Sequence, residues 1–301
     1  MKVMKAPIII IGMHRSGTTM IASMLQQMGV FIGNDLEENL ESMFFLTLNE
    51  WILRQSGGAW DNPNAGRWFL NRSEIFQLVY EYIKDRVYGF PIISYLGWKR
   101  FIKYKGNLNN MREPWGWKDP RNTITLPLWL KLYPDAKVIH IYRNGVAVAV
   151  SLYKRECEHL KIAKAKHIKR KTFGLYKFIP KKGGFVWSSR CLSLEDAFTL
   201  WEEYTEMALK MMETVKEQGF TIKYEDFLNK PVSILSELRD FCELNCSNEF
   251  IDKLAFQVKP ERANAYKKLP ELMICFERIS NSPLMQKLGY SQQENILGHD
   301  K

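Results

Sequence analysis

The eight residues Gly12-Met13-His14-Arg15-Ser16-Gly17-Thr18-Thr19 combine two glycines, one cation and three hydroxyls. That set suits an oxyanion. A nucleotide-binding phosphate loop reads G-x-x-x-x-G-K-[ST]. Gly12 and Gly17 have that spacing and Thr19 fills the hydroxyl position, but Thr18 stands where the lysine belongs. The cation lies inside the loop instead, at Arg15. A Mg²⁺-nucleoside triphosphate enzyme needs that lysine on the β- and γ-phosphates. Holding a single phosphate does not, because backbone N–H groups and the helix N-terminus supply the positive field. Further along, Arg143 and Ser151 stand eight residues apart, Lys118 lies in GWKDPRN, and Tyr224 begins YEDF. Arg is the side chain best matched to phosphate, through two parallel charge-assisted hydrogen bonds.

These residues need a scaffold. APIIIIG (6–12) is an apolar, β-branched run ending in glycine, which predicts a buried strand. GTTMIASMLQQMG (17–29) has helical apolar spacing and a glycine stop at Gly29. KVIHIY (137–142) predicts a second buried strand and the chain from Asn144 to Glu156 a helix. FTIKY (220–224) predicts a third strand, after a long amphipathic helix over 194–219. Strands alternating with helices imply a parallel sheet with helices on its faces. Ligands of such sheets bind at the carboxyl ends of the strands. His14 and Arg15 follow the first strand, Arg143 the second, and Tyr224 with Glu225 the third.

Composition narrows the class. A chain of 301 residues, 46% hydrophobic and 25% charged, is expected to fold as a soluble globular protein. No apolar run reaches the ~20 residues that span a bilayer. The short apolar stretch after Lys2 and Lys5 runs into the glycine loop, so it is read as a core strand and not a secretion signal. Five cysteines with no C-x-x-C pair fit reduced thiols in a cytoplasm, and no metal site is expected. The net charge of +10 resides in residues 154–190, with 12 Lys and Arg against 2 Glu. One basic segment in a balanced chain suggests a local surface for an anion, or a solvated loop, and not a nucleic-acid-binding protein.

GMHRSGTT resembles the 5′-phosphosulfate loop of sulfotransferases that use 3′-phosphoadenosine 5′-phosphosulfate (PAPS). VIHIYRNGVAVAVSLYKR is similar to the 3′-phosphate segment of that family, and GWKDPRN to the Lys-Asp-Pro segment of its tyrosylprotein and bacterial branches. The resemblance implies an α/β, P-loop NTPase-like three-layer fold with a central parallel sheet flanked by helices. It implies one sulfotransferase domain over 1–301, with acceptor-specific insertions at about 45–112 and 155–190. The donor would contact His14, Arg15, Ser16, Gly17, Thr18 and Thr19 at its 5′ end, Arg143 and Ser151 at its 3′-phosphate, and Tyr224 near the adenine. Arg262 and Lys267, in a segment similar to the family's closing stretch, are further anion contacts. The product would be adenosine 3′,5′-bisphosphate (PAP).

Sulfonyl transfer to a hydroxyl needs a base and preorganised positive charge. The resemblance gives Arg15 and Lys118 the second role, with no metal. For the base, Glu37, Glu38 and Glu41 lie where tyrosylprotein and bacterial relatives carry an acidic residue, and Glu38 is the choice. Phe45 stands where bacterial relatives often have a glutamate. His140, inside an apolar strand, reads as a core histidine. The expected acceptor is a small-molecule or glycan hydroxyl, with carbohydrate favoured and lipid, other small molecules or tyrosine open. A P-loop kinase and a non-catalytic anion-binding module are the competing readings. Oligomeric state is not legible.

Overall fold

Four isoleucines in a row have no polar face to offer water, so they belong between two layers. In a computed structural model describing residues 5–259 and 282–290, Ile8–Ile11 form β1, buried throughout. β1 pairs in parallel with β2 (Gly116–Lys118) on one side and β3 (Lys137–Tyr142) on the other. β4 (Gly219–Lys223) adds in parallel beyond β3, giving the order β2-β1-β3-β4.

Alternation along the strands divides the core into two. Ile9, Ile11 and Val138 face a layer that includes α2 (Met43–Arg54), α4 (Ser73–Tyr88) and α6 (Asn122–Leu132). Ile8, Ile10, Ile139 and Ile141 face α1 (Thr18–Gln27), α9 (Tyr224–Asn229), α10 (Pro231–Phe241) and α11 (Asn248–Ala255). This is the expected three-layer α/β arrangement. α3 (Pro63–Leu70) and α5 (Ile93–Lys103) complete the first layer, with α5 broken at Gly97. Residues 45–112 are thus mostly helix that walls the core. Trp115, Trp117, Trp129 and Trp201 are fully buried, and Phe45 stacks on Trp117 at 3.9 Å. Those side chains are core.

The helix after the loop ends as predicted. Gly29 adopts φ +95°, and Val30 donates back to the Leu25 carbonyl at 2.9 Å, closing a Schellman turn.

The chain divides into two compact units. Of the described residues, one comprises those up to Arg143 and those from Glu203 to 259; the other comprises Asn144–Glu202 with 282–290. The sheet lies wholly in the first. The second contains α7 (Gly145–Thr172), which is 28 residues long. Asn144 caps it by accepting from the Val146 and Ala147 amides at 3.0 and 3.2 Å. The reading of 154–190 as a loop is corrected here: α7 continues as helix through Thr172. Lys, Arg and Ala are good helix formers and tolerate full solvation, so this half needs no apolar stripe. α8 (Leu194–Val215) leads back to β4.

Candidate active site

β1 ends in a turn that only particular residues can make. Gly12 has φ +135° and Gly17 φ +102°, and Arg15 between them is also left-handed at φ +71°. At Gly12 a Cβ would collide with the Ile141 carbonyl of β3. Its N–H donates to Thr123 Oγ1 at 3.0 Å. Gly17 is the N-cap of α1, so the loop opens onto a ten-residue helix N-terminus. Ser16 is fully buried, and its Oγ has no hydrogen-bond partner among the described residues. An unmet buried hydroxyl is costly in a finished fold. Here it lies in a loop whose shape suits a phosphate. Thr18 is buried and Thr19 half-buried beside it, while Arg15 is exposed.

Two residues from the other strand ends close on this loop. A Cβ at Gly17 would stand 2.6 Å from the Tyr224 ring. On Tyr224 lies the Arg143 guanidinium, 4.4 Å above the ring centroid, and Arg143 also donates to the Arg15 carbonyl at 3.5 Å. Gly17, Tyr224 and Arg143 therefore form one stack, built from the ends of β1, β4 and β3. Register explains it: Ile11 faces His140, and Tyr142 faces Lys223. The strands therefore finish nearly level.

The fourth strand brings Lys118. Its residue pairs with Ile10, two positions before Gly12. Lys118 is 1% exposed, and its Nζ donates to Glu41 Oε1 at 2.8 Å. Arg121 reaches the other oxygen of Glu41 at 3.3 Å and Asp119 Oδ1 at 3.0 Å. Asp119 also accepts from Asn49 at 2.8 Å, and Asn49 is held by Thr125 and Trp129. Burial pushes the Glu41 carboxyl above its ordinary value, as does Asp119; Lys118 and Arg121 pull the other way. The result is a basic carboxylate in direct contact with a buried ammonium.

Glu38, the expected base, is exposed on the turn before it. Glu37 spends its carboxylate on the Asn39 amide at 2.6 Å. Glu41 is the member of the trio that meets Lys118, through a backbone bridge as well as the side chains. Spacing alone could not select it, because three acids in one turn share the same pattern. His14 packs edge-on to Trp60 at 4.8 Å. His140 is a core histidine as expected, with burial lowering its pKa to about 4. Ser151 is half-buried on α7, in the second unit. Arg262 and Lys267 lie outside the described residues. No group of His, Cys, Asp or Glu among the described residues is arranged to hold a metal ion.

A profile described as "Sulfotransferase family" matches residues 7–248. No curated protein matches. Among solved structures, the chain is similar to the sulfotransferase domain from the curacin biosynthetic pathway, at TM-score 0.50 and 17% identity, covering 96% of this chain and 99% of that one. It is also similar to the sulfotransferase domain of the Synechococcus PCC 7002 olefin synthase, at TM-score 0.46 and 16% identity over 88% and 89%. A sulfotransferase from Alicyclobacillus acidocaldarius gives TM-score 0.45 and 16% identity over 92% and 94%.

Proposed function

The chain belongs to the sulfotransferase family, and from that premise we propose that it transfers a sulfonate from PAPS to an acceptor hydroxyl. The observation that carries this reading is the stack of Gly17, Tyr224 and Arg143 over a loop with an unmet Ser16 hydroxyl. A loop of that shape fits a 5′-phosphate, and a guanidinium beside it fits a second phosphate on the same nucleotide. Ser151 and the loop hydroxyls of Thr18 and Thr19 are the further donor contacts in this reading, with His14 at the loop's edge.

The chemistry then follows from the neighbouring pair. The acceptor oxygen forms a bond to sulfur as the bond from sulfur to the 5′-phosphate oxygen breaks, and PAP leaves. The acceptor proton needs a base, and Glu41 has the raised basicity for it, so Glu41 replaces Glu38 in this assignment. Lys118 supplies charge to the sulfonyl oxygens together with Arg15. When Glu41 takes the proton it becomes neutral, and its hold on Lys118 weakens. The ammonium is thereby released toward the negative charge on the leaving group. No metal is required in this scheme, because side-chain cations carry the charge.

The acceptor is assigned to the carbohydrate hydroxyls, for which exposed Trp68 and Trp98 offer ring faces. A cytoplasmic site of action goes with this reading. The test is a labelled-sulfonate assay against an acceptor library, with thermal shifts in PAP and in ATP–Mg²⁺. Stabilisation by PAP and transfer to a hydroxyl support the proposal. Stabilisation by ATP–Mg²⁺ alone would assign the loop to a kinase. Binding of PAP without transfer to any acceptor would leave an anion-binding module.

A further inference from the structure

The second unit has a feature that sulfonyl transfer does not use. The C-terminal half of α7 and the chain that returns along it to Trp187 enclose a cleft of about 450 Å³. Lys166, Arg170, Lys181 and Lys182 line it, with Tyr176 and Trp187, and no carboxylate does. Among the described residues, Lys166, Arg170 and Lys182 form no ion pair. Lys181 is turned inward onto the Gly183 and Gly184 carbonyls, each at 2.6 Å.

The cleft has a fixed frame. Glu156 is fully buried and accepts from Arg155 Nε at 2.9 Å and from the Trp187 and Ser188 amides at 2.9 and 3.2 Å. One carboxylate thus ties the returning chain to the helix. His167 Nδ1 meets the Tyr176 hydroxyl at 3.1 Å, and His159 packs edge-on to Trp187 at 4.1 Å.

Beyond the cleft, the turn that ends α7 presents apolar side chains to water. Phe173 is 68% exposed, Phe178 83% and Ile179 55%. The Phe178 and Ile179 amides donate to the Leu175 carbonyl at 3.2 and 2.8 Å, so the turn is ordered by its own backbone. Lys169, Arg170 and Lys171 precede it, Lys177 lies within it, and Lys181 and Lys182 follow. A soluble polyanion would engage these cations and leave the aromatic residues wet. An apolar protein groove would cover the aromatic residues and bury unpaired lysines at high cost. An anionic bilayer surface satisfies both, because rings and methyls enter the headgroup boundary while cations stay among phosphates.

We propose that this tip docks onto an anionic lipid bilayer, with Phe173, Phe178 and Ile179 entering the interface and the cleft taking a headgroup phosphate. Attachment is peripheral: no described helix is long and apolar enough to cross a membrane. The proposal does not depend on which hydroxyl is sulfonated, or on sulfonyl transfer at all.

The test is co-sedimentation of the full chain with vesicles of phosphatidylcholine alone or with added phosphatidylglycerol. The expected result is binding only to the anionic vesicles, weakened by salt. The variant Phe173→Ser/Phe178→Ser/Ile179→Ser should lose about 10-fold or more in affinity. Lys166→Gln/Arg170→Gln/Lys182→Gln should lose about 100-fold. All six side chains are exposed, and circular dichroism of each variant checks that the fold is retained. Equal binding to neutral vesicles, or undiminished binding by the serine variant, would overturn the proposal. So would thermal stabilisation by glycerol 3-phosphate in a chain that binds no vesicle, which would make the cleft a site for soluble phosphates.

Discussion

Glu41 and Glu156 are both buried carboxylates that join distant stretches of chain, and they are held in opposite ways. Glu41 is gripped by two long cationic side chains, Lys118 and Arg121, and among the described residues no backbone amide donates to its carboxylate. Glu156 is gripped by two backbone amides as well as Arg155, and the amides cannot be re-aimed without moving the chain. Asp119 stands behind Glu41 and adds to the burial that raises its basicity. A carboxylate of raised basicity suits proton transfer; one tied to backbone amides suits architecture. The two carboxylates lie in different units, Glu41 in the one that contains the sheet and Glu156 in the one that contains α7.

The comparison breaks first at Glu41. Glu41→Gln should lower transfer by about 10³-fold, the usual worth of a positioned base, while Glu38→Gln should leave turnover unchanged. A labelled-sulfonate assay decides it, and the reverse pattern would return the base to Glu38. Glu156→Ala should behave oppositely. It removes the carboxylate that Arg155 and two amides donate to, at a cost of about 3 kcal/mol, read as a lower thermal midpoint; transfer measured below that midpoint should persist.

Acid distinguishes fold from rate. His140 is buried with its pKa lowered to about 4, so the unfolded chain takes up a proton near pH 6.5 that the folded chain refuses. Stability is full above that and is lost as pH falls toward 4, by about 3 kcal/mol in total. His140→Leu should flatten this loss in denaturant titrations across that range. The acid limb of the rate profile should survive that substitution, because it belongs to Glu41, whose raised pKa moves the limb above the ordinary carboxylate range.

Gly17→Ala meets both a left-handed backbone and the Tyr224 ring, and should weaken PAP binding by about 10-fold or more in calorimetry. The smallest effect is expected from Arg143→Lys. The ammonium keeps the charge but loses the two-pronged geometry and much of the stacking on Tyr224, for about 10-fold in PAP affinity.

Much of this was legible before the fold was known, and the reasons are local. β1, the loop and α1 announce themselves through four isoleucines, two glycines that must take positive φ, and Gly29 at the stop. β3 and β4 follow the same logic. β2 was not among the three predicted strands, because Gly-Trp-Lys is too short to show any alternation; its partner β1 makes it a strand. For 45–112 the resemblance implies an acceptor-specific insertion and no particular elements, and beyond Glu156 a lysine-rich helix such as α7 carries little apolar period to set it apart from a solvated loop. The contact between Glu41 and Lys118 was not legible for a different reason. Three acids in one turn share the same spacing, and only the fold shows which of them bridges to Lys118.

The sheet order carries a consequence for synthesis. β1 is central, yet its partners β2 and β3 lie more than a hundred residues further along the chain. At ribosomal speeds its isoleucines emerge roughly 5 to 25 s before both flanking strands exist. For most of that interval the four-isoleucine strand has two unpaired edges, the kind of exposed template on which unfinished chains can misassociate.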